Sequence, residues 1–247
     1  MSSRITLKLL AEFIGTFTLI FIGAGAGAVV GGGAGLSGIT AVAFAHGLTV
    51  MAFAFAYGSV SGGHFNPSVT VGVLAAGAMR VGEAAGYIVS QLVGGIVGAL
   101  LLRAVLGGVA TGLGTPGLAH NLALGATTLT VTPWAGFVIE AVLAFFLVTV
   151  VLSTAVAGRA GNLAPLAIGM TLTFNIIMGG ALTGAAFNPA RALGPMVATG
   201  NFSDAWLYLA APIVGAIVAA IVHTGLARLA HDGASAEPSR AARTPAE

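Results

Sequence analysis

HFNPSVT at residues 64–70 and AFNPARA at residues 186–192 are two versions of one motif, 122 positions apart. Asn is a good N-cap, and Pro, which has no amide proton to leave unsatisfied, fits the first helical position. Asn66-Pro67-Ser68 and Asn188-Pro189-Ala190 therefore each start a helix. The apolar pieces that follow, about 66–77 and 188–198, fall short of the roughly 20 residues that a bilayer crossing needs. They suit re-entrant half-helices. The N-terminus of each carries roughly half a positive charge and free N–H groups.

The repeat extends outward from these boxes. AEFIGTF around Glu12 matches IEAVLAF around Glu140, and VGGIVGA at 93–99 matches VGAIVAA at 214–220, with offsets of 128 and 121. Six long apolar segments lie at about 7–30, 37–58, 84–106, 134–156, 163–182 and 205–228. Three spans per half is an odd number, so the second half runs upside down relative to the first. Such inverted repeats place a shared pathway where the halves meet, with broken helices facing each other near mid-membrane. The sequence predicts an all-α membrane protein of six transmembrane helices plus two half-helices. Its halves, about 7–106 and 134–228, are joined by a Gly- and Thr-rich loop at 107–133, and residues 229–247 read as a disordered cytoplasmic tail.

Composition agrees. Charged residues are 6% of the 247, against about 25% in soluble domains, and mean hydropathy is +1.02. The spans and loops use up the chain and leave no room for a second soluble domain. Nine scattered basic residues make no nucleic-acid surface. The absence of cysteine rules out disulfides, thiol nucleophiles and Cys-ligated metals. With both ends inside, one face collects Arg4, Lys8, Arg80, Arg159, Arg228, Arg240 and Arg243, and the other only Arg103. The positive-inside rule then makes both termini cytoplasmic and the 107–133 loop external.

The paired boxes, the Glu in spans 1 and 4, SGGHFNPSVT and FNPARALGP resemble the aquaporin (major intrinsic protein) family over about residues 9–228. Ser68 departs from the family's Ala. The fold is expected to hold, with a slight shift of packing near the pore centre. The resemblance implies a channel with one pore per subunit, usually a homotetramer. Asn66 and Asn188 would donate hydrogen bonds to a passing molecule, and Pro67 and Pro189 would start the half-helices. The unwound backbone of Gly62, Gly63, His64 and Phe65, and of Gly184, Ala185, Ala186 and Phe187, would present carbonyls along the pore. Glu12 and Glu140 would pin these loops, with Gln91 as a further backbone partner. Opposed dipoles and Arg191 would repel protons and cations.

The resemblance also places a selectivity filter. It falls on His46, twenty before Asn66; on Ile176, twelve before Asn188; on Ala185; and on Arg191. A rise of about 1.5 Å per residue sets His46 roughly 13 Å and Ile176 roughly 9 Å below the outer ends of their spans, at similar depth. This set is similar to that of plant tonoplast intrinsic proteins, many of which pass ammonia. His120, within GLAHNLALGA, resembles a loop histidine that joins such filters as a fifth member. The aromatic corner of glycerol facilitators is missing. The expectation is a passive channel for water and small neutral solutes, ammonia the favoured extra, excluding protons and ions, in the cell membrane. A glycerol or urea facilitator is the alternative, and a junction protein with a closed pore is the alternative from another class. No enzyme is expected, since Ser61, Ser90 and Ser153 lack a Gly-x-Ser-x-Gly context. No cofactor, metal or nucleic-acid partner is expected.

Overall fold

The computed structural model describes residues 3–30 and 35–236. Six long helices cross: α1 (Ser3–Val30), α2 (Gly35–Ser61), α4 (Val81–Val105), α5 (Pro133–Val156), α6 (Ala164–Thr183) and α8 (Ala205–Ala236). Two short helices lie between them: α3 (Pro67–Ala75) and α7 (Pro189–Thr199). An even number of crossings puts both ends of the described chain on one side, the termini side. The 107–133 connection lies on the opposite, loop side.

Asn66 and Asn188 cap α3 and α7 in extended conformation, each with Pro at the first helical position. These helices turn back from mid-membrane instead of crossing. Each leans on the other half: α3 packs against α8 and α5, and α7 against α4. The closest approach is glycine on glycine. A Cβ on Gly194 would overlap the Gly95 carbonyl, and one on Gly95 would lie 2.7 Å from the Ala190 oxygen. Small residues in α4 also seat it on α1, where Gly94 and Gly98 face the carbonyls of Phe13 and Phe17.

Large apolar side chains such as Leu48, Val89, Phe174 and Ile221 remain exposed on the outside of the spans. In a bilayer that surface meets lipid, so it costs nothing there. The polar groups instead run through the middle: Glu12, Gln91, Glu140, Asn66 and Asn188 are all buried.

Three features depart from the sequence reading. The loop contains a small antiparallel hairpin, β1 (Leu122–Leu124) with β2 (Thr127–Leu129). Helices α1 and α5 each loosen into a π-helical stretch, at Leu19–Ala24 and Leu152–Val156. Residues 229–236, read as disordered tail, continue α8. Leu229, Ala230, Ala234 and Ala236 are strong helix formers, so polarity ends the membrane span there without ending the helix. Residues 237–247 of the expected tail lie outside the described residues.

Candidate functional site: a constriction between two half-helices

The buried carboxylates shape the two loops. Glu12 Oε1 accepts from the Ser61 hydroxyl (2.6 Å) and the His64 amide (3.0 Å), and Oε2 from the Phe65 amide (2.7 Å) and Gln91 Nε2 (2.8 Å). Glu140 repeats the pattern, accepting from Thr183 Oγ1 (2.6 Å), the Ala186 amide (3.0 Å) and the Phe187 amide. Below each loop a buried tyrosine donates to its first carbonyl: Tyr87 to Ser61 and Tyr208 to Thr183, both at 2.7 Å. These bonds hold a backbone that is otherwise unfavourable. Phe65, Ala185 and Phe187 have φ of 48°, 41° and 30°, which costs on the order of 1–3 kcal/mol each for residues other than Gly.

The asparagines then tie the halves together. Asn66 Oδ1 accepts from the Ser68 amide (2.8 Å), and Asn188 Oδ1 from the amides of Ala190 (3.0 Å) and Arg191 (3.2 Å). Those donors fix which side of each amide is oxygen. Each nitrogen therefore points across the interface. Asn66 Nδ2 donates to the Phe187 carbonyl (3.1 Å), and Asn188 Nδ2 to the Phe65 carbonyl (3.0 Å). An amide nitrogen has two protons, so one remains on each side chain, and both side chains line the central cavity. The Ser68 hydroxyl lies 2.8 Å from Asn66 Oδ1 and 3.1 Å from the Phe187 carbonyl. It reinforces the same tie.

Around this centre the space is hourglass-shaped. A wide cavity on the termini side (about 920 Å³) and one on the loop side (about 540 Å³) meet a neck of about 20 Å³, counted as room for the centre of a water molecule. One water needs roughly 10–15 Å³ on that measure, so the neck has room for little more than one water at a time. Leu19, Val50, Val69, Leu172 and Ile176 make its apolar wall. The polar strip comes from the two asparagines and the loop residues. No carboxylate lines the neck among the described residues.

His46, Ile176, Ala185 and Arg191 all line the neck, and Ile176 and Arg191 also line the loop-side cavity. Arg191 Nη1 donates to the Gly114 carbonyl (2.8 Å), and its Nε has no partner among the described residues. His46 Nδ1 lies 2.9 Å from the Val42 carbonyl. A carbonyl only accepts, so Nδ1 carries the proton, and in the neutral ring Nε2 is an acceptor. Nε2 has no partner among the described residues. The ring stands on Gly23, inside the π-helical stretch of α1. His64 lines the neck and the termini-side cavity, with Nδ1 3.0 Å from Thr70 Oγ1 and its ring edge against Tyr87.

Two expectations are corrected. His120 is exposed on the loop and lines neither the neck nor the cavity beyond it. The loop group that reaches Arg191 is the Gly114 backbone, because the turn Gly112–Gly114 fills the approach. Gln91 bonds to side chains, Glu12 and Thr70, rather than to loop backbone. Sequence reasoning also missed Tyr87 and Tyr208, although their spacing of 121 is the offset already seen between the repeats in spans 3 and 6.

Two inverted halves, paired half-helices and a narrow neck between two wider cavities define a membrane channel fold. Residues 1–223 match the family model described as Major intrinsic protein. The chain is 39% identical over 221 residues to a probable aquaporin TIP1-2 of Oryza sativa subsp. japonica, covering 86% of this chain and 83% of the relative. It is 40% identical over 218 residues to aquaporin NIP1-2 of the same plant, covering 87% and 69%. The aquaglyceroporin structure from Plasmodium falciparum superposes with a TM-score of 0.76 at 24% identity, covering 92% of this chain and 99% of that one; at that identity the likeness speaks to fold. The chain belongs to the major intrinsic protein family, as a channel for water and small solutes.

Proposed function

We propose that this channel conducts water and ammonia in single file, excludes ions and protons, and works as a homotetramer in the cell membrane with both termini cytoplasmic. The observation that carries the solute reading is the loop-side neck. His46 and Arg191, whose Nε2 and Nε are buried without a partner among the described residues, line it beside apolar Ile176 and small Ala185. A solute there loses hydration, and each unmatched polar group costs free energy. Ammonia offers donors and one acceptor and has less hydration to lose than glycerol, whose several hydroxyls would meet the Ile176 side unpaired. The volume of the neck supports the same ranking, since it leaves room for molecules near the size of water.

Past the filter, a solute meets the carbonyls of the second loop, then the free N–H of Asn188 and of Asn66, then the first loop. The amides donate to its lone pair while the helix ends around them are positive. A cation meets these positive ends and Arg191 in a neck that no carboxylate lines among the described residues. Stopped-flow measurements on proteoliposomes, with water, ammonia, urea and glycerol in parallel, test the proposal. Water and ammonia fluxes well above protein-free vesicles are expected, with glycerol near the background. Glycerol flux comparable to water, or ammonia flux at background, overturns the solute assignment.

A further inference from the structure

Away from the pore, a further cavity of about 270 Å³ opens at the termini-side ends of α5 and α8. On the measure used for the neck one water needs roughly 10–15 Å³, so this space holds a group of several heavy atoms. Thr149, Ser153, Arg159 and His223 supply its polar lining, and Val222 and Leu226 its apolar edge. We propose that it binds the phosphate of an anionic membrane lipid.

Two of these donors, Thr149 and Arg159, have no partner among the described residues, while Ser153 and His223 meet each other. Arg159 makes no ion pair; the only one among those residues is Lys8 with Glu83, at 2.6 Å. No carboxylate among the described residues lines the cavity. A guanidinium presents a planar fork of N–H groups that matches phosphate oxygens. Ser153 Oγ and His223 Nδ1, from different helices, lie 3.5 Å apart at the cavity wall. One helical turn deeper, the Thr149 hydroxyl is buried without a partner. A buried hydroxyl left unpaired is costly, and a phosphate oxygen is an acceptor it could use. Ser153 sits in the π-helical stretch Leu152–Val156, where the widened backbone turn departs from regular packing; such stretches often mark functional positions. Beyond Val222 and Leu226, the exposed side chains of Val218 and Ile221 continue the apolar edge along α8. That gives acyl chains a path and favours a lipid phosphate over a free one.

Native mass spectrometry of the purified full chain, titrated with phosphatidylglycerol and separately with phosphatidylcholine, tests this. Phosphatidylglycerol should be retained preferentially. Arg159→Gln should weaken its binding about fivefold, the effect of one arginine near an anionic surface, and Thr149→Val should also weaken it. Arg228→Gln, outside the cavity lining, should leave it unchanged. Each variant should keep wild-type water flux in phosphatidylcholine vesicles, which shows that it is folded. Equal losses in the Arg159 and Arg228 variants, or unchanged binding in the Thr149 variant, would mean diffuse attraction and overturn the site. Displacement of the lipid by millimolar inorganic phosphate would overturn the lipid source in favour of a free anion.

Discussion

Replacing Gly23 by Ala should close the channel without unfolding it. A Cβ at this position would lie 2.6 Å from His46 Cδ2 and 2.7 Å from Nε2. Ordinary carbon contacts are about 3.5–4.0 Å, so the ring has to move by roughly 1 Å. Gly23 lies behind the ring and outside the neck lining, while His46 lines the neck, so the displacement is toward the lumen. The neck offers about 20 Å³, close to the roughly 10–15 Å³ that one water requires. A shift of that size removes most of the surplus. Water flux per channel in proteoliposomes, normalised to protein content, should fall about tenfold or more, the effect of a barrier raised by roughly 1.4 kcal/mol. The double substitution Gly23→Ala with His46→Ala should restore it, because the ring is then absent. Wild-type flux in the single variant, or a loss that the second substitution does not reverse, would refute the claim that this backbone position sets the aperture.

Three further outcomes are expected. Arg191→Val should admit cations: a unit charge about 4 Å away contributes on the order of 4 kcal/mol at an effective dielectric of about 20. A dye-reported ion leak should therefore rise by up to about a thousandfold with water flux retained, and an unchanged leak would place the barrier elsewhere. Glu140→Gln sets an NH2 where the carboxylate accepts backbone donors, forfeiting about 1.5–3 kcal/mol per lost charge-assisted bond. Thermal stability in detergent should drop and flux with it; a variant as stable as wild type would remove the pinning role. Ser68→Ala should cost only about 1 kcal/mol, because Asn66 Oδ1 keeps the Ser68 amide and the Phe187 carbonyl keeps Asn66 Nδ2. A large loss of water flux there would show that the hydroxyl does more than brace the amide.

The sequence carried the architecture because its strongest signals are local and doubled. Asn-Pro suits a capped helix start, and two copies in an inverted repeat leave few arrangements in which both stubs are buried. Glu12 and Glu140 stood out because a carboxylate in an apolar span demands donors. What was not legible depends on contacts between segments far apart in sequence. Nothing about Gly114 announces that its carbonyl will meet Arg191, and a glycine at position 23 reads as one small residue among many. His120 looked eligible by type and neighbourhood, yet the course of a loop is set by its turns, and the Gly112–Gly114 turn took the place beside the arginine. Extra hydrogen-bonding patterns such as the π-helical stretches arise from packing and have no composition of their own.

The crossed amide ties have a consequence for how the molecule is made. Each asparagine finishes its bonding on a carbonyl that belongs to the opposite repeat, so the centre does not exist until both repeats are threaded into the bilayer. While synthesis has delivered only the first three spans, Phe65 has no amide to meet and the loop before Asn66 has nothing to close against. A nascent half is therefore no conduit, and the membrane keeps its seal until the chain is long enough to complete its own gate.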